Sequence, residues 1–111
     1  MENFVAEGEV VTLTAPTGGV VSGTAYLIGS LVVVALVTAA ETVSFSALTR
    51  GVVTHAKVSA QAWTEGVKLY WDDTAKNFTT TAGGNTLVGV AAAVAANPSA
   101  TGKIRLDGVA R

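Results

Sequence analysis

The 111-residue sequence contains no cysteine, only two prolines and few charged side chains. Without cysteine, the chain has no disulfide, no thiolate nucleophile and no Cys-ligated zinc or iron–sulfur centre. Seven Lys plus Arg stand against eight Asp plus Glu, so there is no basic field to hold nucleic-acid phosphates. Hydrophobic residues make up 50 % of the chain, which excludes a disordered tail and, at this length, predicts one folded domain.

The longest uncharged stretch runs from Val10 to Ala40. Its continuous apolar part is shorter than the ~20 residues of a membrane-spanning helix. Pro16 and several glycines interrupt the rest, and no Lys or Arg stands at either end to set an orientation. We therefore expect no membrane partner. The first ten residues also lack the basic start and apolar core of a secretory signal, so the protein is expected to stay where it is made.

Valine, alanine and threonine are frequent, whereas the usual residues of helix surfaces are scarce, and this composition favours strands. Turn residues separate the apolar runs, for example in PTGG at 16–19, DDTAK at 72–76 and AGGN at 82–85. The resulting pattern predicts up to ten short strands. They are placed at Glu9–Thr14, Val20–Val21, Ala25–Ile28, Leu31–Val37, Thr42–Leu48, Gly51–Val58, Val67–Trp71, Asn77–Thr81, Leu87–Ala95 and Lys103–Leu106.

The predicted fold class is all-β: a small single-domain barrel or sandwich of short antiparallel strands with turn-rich connections and at most one short helix. The segment Ser59–Thr64 is the best candidate for that helix. Residues 86–96 combine helix-favouring alanine with strand-favouring valine, and we interpret them as a strand. Alternation from Val67 to Asp72 predicts that Leu69 and Trp71 face the core.

Residues suited to catalysis are few. His55 is the only imidazole, and the alternation of VVTHAKV places it on the same side of a strand as Val53 and Lys57. Asp72 and Asp73 are adjacent in a predicted turn, where one of them can bond the backbone, so a carboxylate dyad or a calcium site is disfavoured. The only Gly-Lys pair, at 102–103, lacks the remainder of a phosphate-binding loop. The sequence predicts no catalytic residue, no metal, no cofactor and no small-molecule substrate.

Large side chains are concentrated in two places. Trp63, Tyr70, Trp71 and Phe78 fall within sixteen residues and are the candidate packing or interface anchors. Residues 1–8 form a predicted flexible arm ahead of the β-rich domain at 9–111. Its segment Asn3, Phe4 and Val5 is a candidate contact with another protein, by strand addition or insertion of the phenyl ring.

The order of these features resembles the small capsid cement or decoration proteins of tailed phages. The resemblance covers nearly the whole chain, and its most specific part is Tyr70-Trp71-Asp72 followed by a Thr-rich return and the NTLVG of 85–89. That part lies within EGVKLYWDDTAKNFTTTAGGNTLVGVA (65–91), and the other matching segments are GEVVTLTAP (8–16), VVSGTAYLIGSLVVVAL (20–36), LTRGVVTHAKV (48–58) and KIRLDG (103–108).

This resemblance implies a β-rich, non-enzymatic virion protein that is made in the host cytoplasm. It implies binding in many copies to major capsid protein on the outer face of the expanded capsid, where it would hold neighbouring capsomers together. It also implies self-association, with a homotrimer favoured over a dimer. The alternative is a small β-barrel binding module of a tail, baseplate or cell-surface structure that recognises protein or carbohydrate. Exposed Trp63 or Trp71 would favour a carbohydrate-binding module.

Overall fold

The computed structural model describes residues 9–109, and these contain nine strands and no helix. The prediction of an all-β fold is therefore confirmed. The strands are β1 (Val10–Thr14), β2 (Ala25–Ile28), β3 (Leu31–Ala35), β4 (Ser44–Leu48), β5 (Arg50–Ala56), β6 (Lys68–Asp72), β7 (Asn77–Thr79), β8 (Thr86–Ala91) and β9 (Thr101–Asp107). No helix among the described residues has the length and apolar character to cross a membrane.

The strands form two antiparallel sheets. The first sheet has the order β1-β4-β3-β2, and the second has the order β5-β9-β8-β6-β7. The second sheet curls into a half-barrel, because its two outer strands approach each other at a bridge between Lys57 and Phe78. Thr49 alone separates β4 from β5, so the chain passes from one sheet to the other with almost no connection.

Three sequence predictions are wrong in detail. The strand predicted at Leu87–Ala95, within residues 86–96, ends at Ala91. The segment Ser59–Thr64 is not a helix, because Trp63 forms a bridge with Ala95 in which the two backbones exchange hydrogen bonds of 2.9 and 3.0 Å. A six-residue helix has too few internal bonds to compete with such tertiary pairing. The predicted strand at Val20–Val21 is reduced to a single bridge between Val20 and Ala39.

The larger hydrophobic cluster lies between the two sheets. Val32 and Val34 of β3 contribute to it from the first sheet, and Leu69 and Ile104 contribute from the second. Alternation along β6 buries Leu69 and Trp71 while Lys68 stays exposed, which confirms the predicted core face of that strand. The half-barrel and the first sheet therefore share one apolar interior.

A second cluster covers the opposite face of the first sheet. Val33 and Ala35 of β3 pack there against Phe45 and Val20, so β3 is buried on both faces. Two connections, residues 15–24 and 36–43, cross this face and are joined by the Val20–Ala39 bridge. Gly19 makes the crossing possible: its φ is +76°, and a Cβ there would lie 2.6 Å from the Ala39 carbonyl oxygen.

Candidate functional site

His55 holds the two sheets together. Its Nε2 accepts a 3.0 Å hydrogen bond from the backbone N–H of Ala25 on β2. The imidazole also meets Trp71 and Phe78 edge to face, with ring centroids 5.6 and 5.2 Å away. These contacts explain a histidine at this position by packing alone. The half-buried ring shares its side of β5 with Val53, as the alternation predicts.

Asp72 and Asp73 form the tip of the β6–β7 hairpin. Asp72 Oδ1 accepts 3.0 Å hydrogen bonds from the N–H groups of Thr74 and Ala75, which is the expected turn role. Asp73 Oδ1 accepts from Lys76 Nζ at 2.9 Å and from the Trp71 indole at 3.0 Å. These two bonds, the one from Lys76 first, lower the pKa of Asp73. The two carboxylates are therefore engaged separately and do not act on a common atom.

Lys57 is a buried cation that sequence reasoning did not single out. Its side chain is 4 % exposed, and Nζ donates to the carbonyl oxygens of Val58 at 2.8 Å, Ser99 at 3.3 Å and Gln61. The ammonium also lies 5.4 Å from the centroid of the Trp63 ring. Lys57 thus connects the segment directly after β5 to the distant loop that carries Ser99. The alternation of VVTHAKV had placed Lys57 only on the same side of the strand as His55.

The candidate anchors lie mostly inside the molecule. Trp63, Trp71 and Phe78 are 1 % or less exposed, whereas Tyr70 on the other face of β6 is half-buried. Trp71 and Phe78 pack with ring centroids 4.9 Å apart. Because the two tryptophans are covered, they offer no exposed platform for stacking a sugar ring.

A shallow groove of about 350 Å³ lies between the 93–99 loop and strands β5 and β9. Ala93, Val94 and Ala96 supply much of its wall, and Lys103 is its only titratable residue. A single amine without a partner acid or base does not form an acid–base pair. Within residues 9–109, no group of three His, Asp or Glu side chains could hold a metal ion.

Exposed apolar side chains gather around the first sheet. Val21, Leu36, Val37 and Val43 are each at least 44 % exposed, and all four lie in the connections that flank this sheet. Val10, at the start of β1, is also 44 % exposed. This surface carries little charge, and such a surface is suited to contact with another protein.

Strand β1 is an outer strand of the first sheet and pairs only with β4 among the described residues. Its side chains alternate, with Val10, Thr12 and Thr14 exposed and Val11 and Leu13 half-buried. The prediction located this strand, but no local signal in the sequence showed that it would lie at an edge. The candidate arm residues Asn3, Phe4 and Val5 lie outside the described residues.

The phage cement protein family model matches residues 5–106 of the chain. No curated protein and no solved structure matches.

Proposed function

We propose a capsid-binding role from the premise that the chain belongs to the phage cement protein family. This is a family of structural proteins, and it implies a place in the virion through contact with capsid protein. The proposal is that many copies bind the outer surface of the assembled, expanded head and stabilise contacts between neighbouring capsomers. The observation that carries the proposal is the match over residues 5–106.

The physical character of the described residues supports this role. The chain encloses two hydrophobic clusters, and its turns are fixed by local hydrogen bonds, so it is a rigid module. A rigid surface loses little conformational entropy on binding. Charged residues make up 14 % of the chain, and removing a charge from water costs several kcal/mol per ion, so a surface with few charges is suited to close packing on a protein shell.

Self-association is part of the proposal. Resemblance to head-stabilising proteins favours a homotrimer over a dimer, and association would add stability by mass action to a small domain rich in alanine and glycine. The proposal also includes synthesis in the host cytoplasm and the absence of a nucleic-acid or small-molecule partner. The mass of the purified protein in solution gives the number of chains directly.

The proposed capsid-contact arm is residues 1–8, with Asn3, Phe4 and Val5 as its anchors. An extended segment that carries one phenyl ring among small residues can add a strand to a neighbouring protein or insert the ring into a pocket. Strand β1 begins at Val10, and only Glu9 separates it from this segment, so the arm is attached close to a paired strand of the domain.

The decisive experiment mixes the purified protein with emptied, expanded capsids that lack it, and sediments the capsids. We expect saturable, stoichiometric co-sedimentation and a higher rupture temperature of the shell. Absence of binding to these capsids would refute the capsid-binding role. Binding that leaves the rupture temperature unchanged would retain the partner but refute stabilisation.

The arm is tested separately in the same assay. Deletion of residues 1–8 and the substitution Phe4→Ala should both lower capsid occupancy, whereas Glu2→Gln, a change in the same segment without loss of apolar surface, should not. Full occupancy by the truncated protein would refute the arm contact while leaving the capsid-binding role intact.

A further inference from the structure

On the outer edge of β1, backbone N–H and C=O groups have no hydrogen-bond partner within residues 9–109. Thr49 N donates to Glu9 O at 2.8 Å, and Ala15 N donates to Val43 O at 2.9 Å, so the odd-numbered residues from 9 to 15 face β4. The antiparallel ladder alternates, so the N–H and C=O groups of Val10, Thr12 and Thr14 point away from the sheet. These groups are a template for one further strand.

The other sheet edges in the described part of the chain are partly covered, irregular or short. Strand β5 is an outer strand of seven residues, but it begins at the charged Arg50, it contains Gly51 with a φ of +137°, and the residue after its end is bridged to β7. On β2, the outward N–H of Ala25 is held by His55. Strand β7 has three residues, and the bridge from Lys57 to Phe78 joins it to the end of β5. By contrast, β1 is five residues of Val, Thr and Leu, with no charge, proline or bulge to discourage pairing.

We propose that β1 pairs antiparallel with β1 of a second copy of this chain, about a two-fold axis at Thr12. In this register, Thr12 lies opposite its own counterpart and Val10 lies opposite Thr14. The outward groups of the three residues then exchange a ladder of about six hydrogen bonds. The two four-stranded sheets become one continuous sheet.

The side chains of β1 are complementary to themselves in this register. Val11 faces Leu13 of the second copy and Leu13 faces Val11, so the apolar stripe that packs on the second cluster continues across the axis. On the opposite face, Thr12 meets Thr12, a favourable cross-strand pair. The nearest charge is Glu9, which is already paired with Arg50 at 2.7 Å and lies opposite Ala15 of the second copy. No like charges meet along the strand.

This contact relates copies in pairs. It is independent of the capsid-binding role. A homotrimer would have to form through other surfaces of the molecule. On a shell, it would connect one bound copy to its neighbour, in addition to whatever each copy binds beneath it.

Charge substitutions at Thr12 test the axis itself. The variants Thr12→Lys and Thr12→Glu each place like charges opposite each other across the axis, so each should raise the dissociation constant of the pair by roughly tenfold or more. Mixing the two variants should restore association, because the opposite charges then meet. Analytical ultracentrifugation over a range of concentrations, at low salt, measures all three samples.

A backbone variant keeps the test independent of charge. Thr12→Pro removes an N–H that points away from β4, so the fold is preserved while two hydrogen bonds of the proposed pair are lost. Thr12→Val retains the N–H and is the matched control, and it should associate like the parent chain.

Three results would overturn the proposal. The first is a parent chain that stays monomeric at high concentration. The second is an oligomer whose mass is unchanged by Thr12→Pro and Thr12→Lys, because its contact would then lie elsewhere. The third is association that appears only after residues 1–8 are deleted, because that segment would then be the strand that covers β1.

Discussion

Gly102 on β9 is the position where one added carbon tests the packing of the interior most directly. A Cβ at this residue would lie 2.4 Å from Cζ3 and 2.7 Å from Cε3 of the buried Trp63 ring. The backbone of Gly102 is not in the left-handed region, so alanine is compatible with it and the contact with the indole is the only obstacle. Because Trp63 is 1 % exposed and held by the Ala95 bridge, its ring has little freedom to move away.

We expect Gly102→Ala to lower the free energy of unfolding by about 1–3 kcal/mol, the usual cost of overpacking a core. For a domain of this size, the melting temperature should fall by roughly 5–15 °C. Gly83→Ala is the matched control, since a Cβ there meets nothing within 4 Å and its φ is also outside the left-handed region. Gly83→Ala should leave the free energy of unfolding unchanged or raise it by up to about 1 kcal/mol, because alanine lowers the conformational entropy of the unfolded chain.

Urea unfolding followed by tryptophan fluorescence measures both variants, because both indoles are buried in the native state. A double-mutant cycle with Trp63→Phe isolates the contact: Gly102→Ala should cost less when the benzo ring is absent. If Gly102→Ala is as stable as Gly83→Ala, the close packing of Trp63 on β9 is wrong.

Three further predictions concern polar groups of the interior and the hairpin tip. His55→Ala should lower the free energy of unfolding by about 1–3 kcal/mol, because the buried N–H of Ala25 loses its acceptor; urea unfolding measures the loss. Lys57→Met should lower it by a similar ~1–3 kcal/mol, because three carbonyl oxygens lose their donor. The lowered pKa of Asp73 stabilises the tip above the ordinary pKa of 3.8, and this contribution is lost as the pH falls through the lower native value. The indole N–H resonance of Trp71 in NMR spectra should shift over that acidic range.

Each of these predictions has its own control. Thr54→Ala, an exposed neighbour on β5, should change stability little, and an equal loss at Thr54 and His55 would contradict the role of the imidazole. A Lys57→Met variant at least as stable as the parent would show that the three carbonyl oxygens find other partners. In Asp73→Asn the acid shift of the indole signal should disappear, and its persistence would assign the titration to another group.

The positions of the strands could be predicted because turn chemistry and alternation are local. Asp72 at the hairpin tip and the alternation around Leu69 and Trp71 depend on neighbours within a few residues, and the structure agrees with both. The prediction of a helix at Ser59–Thr64 was wrong because the conformation of this segment depends on a contact that is distant in the sequence. Its outcome is decided by Ala95, more than thirty positions away in the chain, which holds the backbone of Trp63 in a bridge.

The candidate surfaces were less predictable than the strands. Strand β1 was located by its valines and threonines, but its place at an edge follows from pairing with β4, whose register joins Val10 to Leu48. A single sequence does not specify such long-range pairing. The burial of Lys57 could not be predicted for the same reason. It requires the carbonyl oxygens of Gln61 and the distant Ser99 to lie within hydrogen-bonding distance of the same ammonium group.

The single residue between β4 and β5 has a mechanical consequence for a member of the phage cement protein family. A pull on β1 along its axis loads the β1–β4 hydrogen bonds in shear, and many bonds then share the load. From Leu48 the tension passes through Thr49 directly into Arg50 and the half-barrel, with no slack loop to extend first. The N–H of Thr49 is bonded to Glu9, so the junction itself is tied back to the start of β1. The two sheets therefore respond to tension as one stiff link.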